Sequence, residues 1–174
     1  LHDRIELHYL PRFHANGTIC AVEALARMRS RTGDLIPPAQ FIPIAEETGL
    51  IIPMGEQVMR KACRWLKDTN KKLKVPISVS VNVSGIQLLD GKLSGTVEKI
   101  LKVTGLPPGL LELELTETVL MQNQETVLHD LSRLHDLGVI LSIDDFGTGY
   151  SSLATLHKMP VQSIKLDRSF VSDL

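Results

Sequence analysis

The chain has 174 residues, of which 43% are hydrophobic and 22% charged, as in ordinary soluble globular domains. Its formal net charge of −1 gives no support for a binder of duplex nucleic acid, which usually carries a basic stripe. No apolar run approaches the roughly 20 residues of a membrane span and no signal peptide opens the chain, so we expect a cytoplasmic domain. Leu1 begins inside what reads as a polar helix end, so we also expect this domain to be cut from a longer protein.

Short β-branched runs alternate with helical patterns along the chain, as in an α/β fold with mainly parallel strands. Apolar residues recur at helical spacing from 58 to 66 and from 127 to 137. Gly138 follows the second of these patterns, and Gly105 with Pro107 ends the helix before the fourth strand. The predicted strands, in chain order, are residues 6–13, 19–27, 77–83, 111–116, 139–144 and 163–166.

The two cysteines, Cys20 and Cys63, are far apart and each lies in an apolar periodic segment. This placement predicts buried free thiols rather than a disulfide or a zinc site.

Alternation within the predicted strands places polar side chains on the face opposite the apolar one, near the carboxyl end of five strands. In barrels that end is where active sites are built. Charged groups are costly to bury there unless they are paired or bound to metal, so their convergence predicts a functional site. The residues concerned are Glu23, Asn82, Glu114, Asp144 and Lys165.

The candidate ligands Glu23, Asn82, Glu114, Asp144 and Asp145 supply only oxygen atoms. Hard divalent cations such as Mg²⁺ or Mn²⁺ prefer such a set, and zinc does not. The adjacent Asp144 and Asp145 could serve one ion each or bridge two. The alternative is that Glu23 and Glu114 are surface strand residues or ion-pair partners.

Two cationic residues accompany these carboxylates. Lys165 could orient a nucleophilic water or neutralise a phosphoryl oxygen, or it could simply form salt bridges with the carboxylates. Arg27, four residues after Glu23 on the same face, suits bidentate phosphate recognition, although an exposed arginine at a strand end is the alternative. The glycine-rich loop at 145–152 could cradle phosphate, but glycines also serve as turn residues.

Several ordered motifs resemble those of a known family. Glu23-Ala24-Leu25, followed by Arg27, resembles the signature that names the EAL-domain phosphodiesterases. The similarity covers nearly the whole chain, and a series of ordered motifs of this length is specific to one family. It continues through PAQFIPIAEETGL at 38–50, SVNVS at 80–84, LELELTE at 111–117, DDFGTGYSSL at 144–153 and KLDRSFV at 165–171.

The resemblance implies that residues 1–174 are one EAL domain, a modified TIM (β/α)8 barrel whose first strand runs antiparallel to the rest. It also implies metal-dependent hydrolysis of one phosphodiester bond of cyclic di-GMP to linear pGpG, with one or two Mg²⁺ or Mn²⁺ ions. A homodimer, with sensory or GGDEF-type domains upstream in the parent chain, is implied as well.

Residue roles follow from the same resemblance. The catalytic residues would be Glu23, Asp145 and Lys165, with Lys165 holding the attacking water. Leu25 and Arg27 would contact guanine and phosphate. Glu117 would anchor the loop at 145–152, and this loop also helps form the family's dimer interface. The implied metal ligands are Glu23, Asn82, Glu114, Asp144 and Asp145.

The chain departs from the family pattern in two places. The family's Tyr-Gln-Pro reads Tyr9-Leu10-Pro11, and Leu10 cannot make the glutamine's polar contact, a loss of about 1 kcal/mol in binding. The family's seventh strand with its glutamates and its eighth strand are absent before Leu174. We therefore expect a barrel truncated after the sixth strand, in which 174 residues alone form neither a stable barrel nor an active enzyme.

Three other functions stay open. A degenerate EAL domain could bind cyclic di-GMP without cleaving it, or could serve only as a protein-interaction module. Without the resemblance, an enolase-like barrel with a lysine base and Mg²⁺ would also fit Lys165 and the carboxylates.

Overall fold

The computed structural model describes residues 4–116, 125–147 and 159–166. These residues form one mixed sheet with helices packed against it. The strands are β1 (Ile5–Phe13), β2 (Ile19–Arg29), β3 (Leu35–Ile36), β4 (Ser78–Val83), β5 (Leu111–Thr116), β6 (Ile140–Phe146) and β7 (Ser163–Leu166).

The helices of the described residues lie between the strands. Pro38 opens the first helix, a position where its missing N–H costs nothing. Gly105 ends the fourth helix with a φ of 66°, and Gly138 follows the fifth with a φ of 85°, as the sequence predicted. The helices are α1 (Pro38–Glu47), α2 (Ile51–Asn70), α3 (Gly85–Leu89), α4 (Leu93–Thr104) and α5 (Glu125–Asp136).

The strand order is β1-β2-β4-β5-β6-β7, and the short β3 pairs antiparallel with the end of β2, off this path. β1 runs antiparallel to β2, whereas the β2–β4, β4–β5, β5–β6 and β6–β7 pairs are all parallel. The predicted α/β class and the antiparallel first strand are therefore confirmed. The carboxyl ends of five parallel strands meet along one edge of this sheet.

The core lies between the sheet and the helices. Val79, Val81, Leu113 and Leu141 are fully buried on the helix side of their strands. α2 turns an apolar stripe toward them that includes Ala62. β5 is buried on both faces although it carries Glu112 and Glu114, so these two carboxylates must find compensation inside the protein.

The edge strand β1 is held to α2 by specific contacts. The ring of Tyr9 stacks on Trp65 with centroids 3.7 Å apart, and the ammonium of Lys61 donates to the carbonyl of Ile5. These contacts fix the position of β1 relative to the rest of the sheet.

The predicted strands match the observed ones to within two residues, apart from the short β3, which the sequence did not signal. Cys20 and Cys63 are free thiols, as expected, but only Cys63 is fully buried and Cys20 is half-buried. None of the helices in the described ranges combines the length and apolarity needed to cross a bilayer.

Candidate active site

Side chains from the carboxyl ends of the parallel strands form a polar cluster on the inner face of the sheet. Backbone pairing places Asn82 of β4 beside Glu114 of β5, and Thr116 of β5 beside Asp144 of β6. Because directly paired residues point to the same face, the ladder brings these side chains to one side.

Lys165 of β7 is the centre of the cluster. Its Nζ lies 2.9 Å from Oδ2 of Asp144, 3.0 Å from Oε1 of Glu114 and 3.8 Å from Oε2 of Glu23. One ammonium therefore contacts carboxylates from three other strands. Burial lowers the pKa of Lys165, but its interactions with Asp144, Glu114 and Glu23 together outweigh burial and raise that pKa.

Glu23 has a second partner from a neighbouring strand. The side-chain amide of Asn82 donates a hydrogen bond of 2.9 Å to Oε1 of Glu23. This hydrogen bond fixes the orientation of the Asn82 amide. It also extends the cluster to β4.

Glu114 is the most deeply buried member, with none of its side chain exposed to solvent. Neither of its carboxylate oxygens has a well-aligned hydrogen-bond donor among the described residues. Loss of solvation raises the pKa of Glu114, and the charge of Lys165 opposes that rise. A buried carboxylate without donors is costly unless a cation compensates it.

The pairing of β6 with β7 is irregular at the cluster. Ile143 pairs with Ile164 but Phe146 pairs with Leu166, so Asp144 and Asp145 stand opposite Lys165 alone. Bulges of this kind are common beside active sites because they redirect a side chain. Here the bulge lies at Asp144, whose carboxylate accepts a hydrogen bond from Lys165.

Sequence reasoning missed Arg12. Its guanidinium donates to both oxygens of Glu112, at 3.3 Å for Oε1 and more closely for Oε2, and lies 3.7 Å from Oε1 of Glu114. These hydrogen bonds hold the pKa of Arg12 above its ordinary value. The available signal was alternation along β1, which puts Arg12 on the same face as Leu10, whose backbone pairs with Glu23.

A cavity of about 290 Å³ opens next to the cluster. Leu25, Arg27 and Asn82 line it, so Asn82 belongs to both the cavity and the cluster. Arg27 donates one hydrogen bond to the carbonyl of Ala26, which leaves most of its donors for other partners. The rest of the cavity wall is formed by residues of α1, α2, α3 and β5, among them Ile42, Glu46, Met54, Gly55, Gln87 and Thr116.

Whether the cluster can bind a metal ion depends on which ligand atoms its side chains offer. Within the described ranges, no group of three or more His, Cys, Asp or Glu side chains is arranged closely enough to hold an ion. The ammonium of Lys165 lies among the carboxylates instead. Nevertheless Glu23, Asn82, Glu114 and Asp144 offer the oxygen atoms that hard divalent cations prefer. The buried Glu114 carboxylate, which has no well-aligned hydrogen-bond donor among the described residues, fits such a cation.

The structure therefore brings most of the predicted site residues together. Glu23, Asn82, Glu114, Asp144 and Lys165 converge, and Leu25 and Arg27 line the adjacent cavity. The side chain of Asp145 and the whole of Glu117 lie outside the described residues.

Comparisons with known proteins are consistent in what they match. A family model described as EAL domain matches residues 1–174. The chain is 43% identical over 173 residues to the cyclic di-GMP phosphodiesterase NbdA of Pseudomonas aeruginosa, and 38% identical over 176 residues to the cyclic di-GMP phosphodiesterase PdeR of Escherichia coli. These alignments cover 99% of this chain but only 22% and 26% of the two relatives.

Solved structures agree in fold. The chain superposes on the PaMucR phosphodiesterase in complex with c-di-GMP with a TM-score of 0.91 at 40% identity, covering 98% of this chain and 69% of that one. It also superposes on the FimX EAL domain from Pseudomonas aeruginosa bound to c-di-GMP, with a TM-score of 0.85 at 25% identity and the same two coverages.

Proposed function

The chain belongs to the EAL domain family, and from this premise we propose that it is the catalytic domain of a cyclic di-GMP phosphodiesterase. The observation that carries the proposal is the contact of Lys165 with three carboxylates beside a cavity lined by Arg27. Relatives named cyclic di-GMP phosphodiesterases, at 38% and 43% identity, support the choice of substrate.

We assign Mg²⁺ or Mn²⁺ as the cofactor, in one or two sites. Glu23, Asn82, Glu114 and Asp144 would hold it, and Asp145 is assigned to a second ion. When bound there, a divalent cation would lower the pKa of a nearby water molecule and offset negative charge on the phosphoryl oxygens.

The chain's own residues perform the remaining tasks. Arg27 offers a planar fork of donors that matches a phosphate, and Leu25 offers an apolar contact for a guanine ring. Glu117 is assigned to anchoring the loop at 145–152. The hydrogen bond from Asn82 keeps Glu23 oriented toward the cluster while the substrate occupies the cavity.

The reaction is an in-line displacement at phosphorus. A bond forms between a water oxygen and phosphorus, and the bond from phosphorus to one ribose oxygen breaks, which opens the cyclic dinucleotide to linear pGpG. Lys165 holds the attacking water and stabilises the charge that grows on the phosphoryl oxygens. Loss of one such stabilising group costs about 2.7–4 kcal/mol in activation free energy.

A receptor without catalytic activity is the second candidate, and it stays open because Leu10 departs from the pattern of the family. This side chain is 55% exposed, and its backbone pairs with that of Glu23 on the face of the cluster. An apolar residue there cannot make the polar contact that the resemblance assigns to the family's glutamine.

Replacement of Glu23 tests the proposal. In the longer parent protein, we expect Glu23→Ala to abolish pGpG formation in Mg²⁺ or Mn²⁺ without changing thermal unfolding. Glu47→Ala, at an exposed glutamate that ends α1, should retain activity. Binding of cyclic di-GMP by the unmodified protein without any linear product would favour the receptor. Hydrolysis by Glu23→Ala at the normal rate would refute the assignment.

The setting of the domain is also proposed. The chain spans about one fifth of the length of the first curated relatives it matches, and one relative is named a bifunctional diguanylate cyclase/cyclic di-GMP phosphodiesterase. We place this domain in the cytoplasm, in a larger homodimeric protein with GGDEF-type or sensory domains. Light scattering of that protein checks the dimer, and a monomer would contradict it.

A further inference from the structure

Arg12 reaches an unexpected partner. It belongs to β1, which pairs only with β2 among the described strands, yet its guanidinium contacts Glu112 and Glu114 of β5, two strands further along the sheet. Lys165 approaches Glu114 from β7, at the other end of the strand order. Side chains from the two outermost strands therefore meet at one oxygen of a central strand, with Arg12 Nη1 at 3.7 Å and Lys165 Nζ at 3.0 Å from Oε1 of Glu114.

The two glutamates differ in how they are compensated. Both oxygens of Glu112 accept hydrogen bonds from Arg12, which matches the geometry of a guanidinium and a carboxylate. Glu114 has no well-aligned donor among the described residues, and its contacts with Arg12 and Lys165 are ionic. Arg12 is anchored by Glu112 and can therefore hold a fixed positive charge next to Glu114.

We propose that Arg12 is a positioning residue that holds the Glu114 carboxylate in place for metal binding, with Glu112 as the anchor of Arg12. The inference rests on the proposed function, because it concerns a ligand of the proposed metal site. Groups that orient a ligating carboxylate commonly account for a 10- to 100-fold difference in metal affinity.

A purely structural role for Arg12 makes a different prediction. If Arg12 only neutralises the buried charge of Glu112, then removal of both charges should be harmless. If Arg12 positions Glu114, the loss should persist when Glu112 is neutral. The variants Arg12→Met, Glu112→Gln and Arg12→Met/Glu112→Gln separate the two, and the double variant leaves no unpaired carboxylate at position 112 that could prevent folding.

The measurement, made on the longer parent protein, is the affinity for Mn²⁺ alone, from the electron paramagnetic resonance signal of the free ion. Thermal unfolding of the metal-free protein accompanies it. Gln at position 112 keeps an oxygen that accepts from Arg12, so we expect Glu112→Gln to bind Mn²⁺ within about twofold of the unmodified protein. The double variant should bind Mn²⁺ about 10-fold more weakly. Arg12→Lys keeps the positive charge but lacks the planar pair of donors of a guanidinium, so it should bind Mn²⁺ more tightly than Arg12→Met and less tightly than the unmodified protein. Equal affinity of the double variant and Glu112→Gln would overturn the inference.

Glu114→Gln separates failure of the inference from failure of the proposed function. If the unmodified protein does not bind Mn²⁺, or binds it no better than Glu114→Gln does, the proposed metal site is wrong and the inference falls with it. If Glu114→Gln weakens binding but the double variant matches Glu112→Gln, only the role of Arg12 is wrong.

Discussion

The side-chain amide of Asn82 donates a 2.9 Å hydrogen bond to Glu23, and the same side chain lines the cavity beside the cluster. Asn82 is thus the physical link between the carboxylates and the space proposed for the substrate. A change at this residue should affect the orientation of Glu23 and the shape of the cavity together.

Asn82→Asp removes the amide donor and places a second negative charge against Glu23. We expect pGpG formation to fall by about 10- to 100-fold with little change in thermal unfolding, because the affected groups face the cluster rather than the apolar core. The matched control is Asn16→Asp in the β1–β2 turn, where Oδ1 accepts from Thr18 and a carboxylate can do the same. An Asn82→Asp protein as active as the Asn16→Asp protein would contradict the prediction.

Gly55 of α2 is required by a close neighbour. A Cβ at this position would overlap the amide nitrogen of Gln87 and lie 2.6 Å from its Cδ, while Oε1 of Gln87 accepts a hydrogen bond from the backbone of Ser84. We expect Gly55→Ala to lose about 1 kcal/mol in the free energy of unfolding and to weaken cyclic di-GMP binding, since Gly55 and Gln87 line the cavity.

Gly95 of α4 is the matched helical control. A Cβ there meets nothing within 4 Å, so Gly95→Ala should stabilise the protein by up to about 1 kcal/mol. Urea unfolding of the two variants provides the comparison. Stabilisation by both substitutions would mean that Gln87 moves aside at no cost.

Asp130 of α5 caps the start of another helix. Its carboxylate is buried and accepts hydrogen bonds from the backbone N–H of Ser94, at 3.2 Å for each oxygen, and from the Ser94 hydroxyl. Asp130→Ala leaves these donors without an acceptor, so we expect a loss of about 2–3 kcal/mol in the free energy of unfolding. Asp136→Ala, at the exposed end of α5, should change it by less than about 0.5 kcal/mol, and equal effects would disprove the capping role.

The two free thiols should differ in reactivity. Burial raises the pKa of Cys63 to about 12, so on the order of 10⁻⁴ of this thiol is ionised at pH 8. Cys20 is only half-buried. We expect a disulfide reagent to titrate Cys20 in the native protein and Cys63 only after denaturation, and Cys20→Ser to abolish the native reaction.

The same shift in Cys63 has a consequence for stability. An unfolded chain ionises this thiol near pH 8.5. Because the folded pKa is the higher one, at about 12, the contribution of the protonated thiol is fully present below pH 8.5 and is lost as the pH rises from there toward 12. Urea unfolding of the protein and of Cys63→Ala between pH 8 and 11 checks the direction. A stability difference between them that does not change with pH would contradict it.

Much of the fold was predictable because its determinants are local. The apolar spacing of α2 and α5 and the glycines after α4 and α5 act within one turn of chain, and the structure confirms them. β3 escaped prediction because two residues carry no periodicity. The roles assigned to the site residues stay predictions.

The sequence alone determined which residues share a face of each strand, because the side-chain period of two is a property of the extended backbone. That alternation was enough to propose Glu23, Asn82, Glu114, Asp144 and Lys165 as one group. Only the tertiary structure decided the distances between them, and it brought in Arg12. Contacts between strands that do not pair depend on how the sheet bends across several strands, and no local pattern within a single strand encodes that.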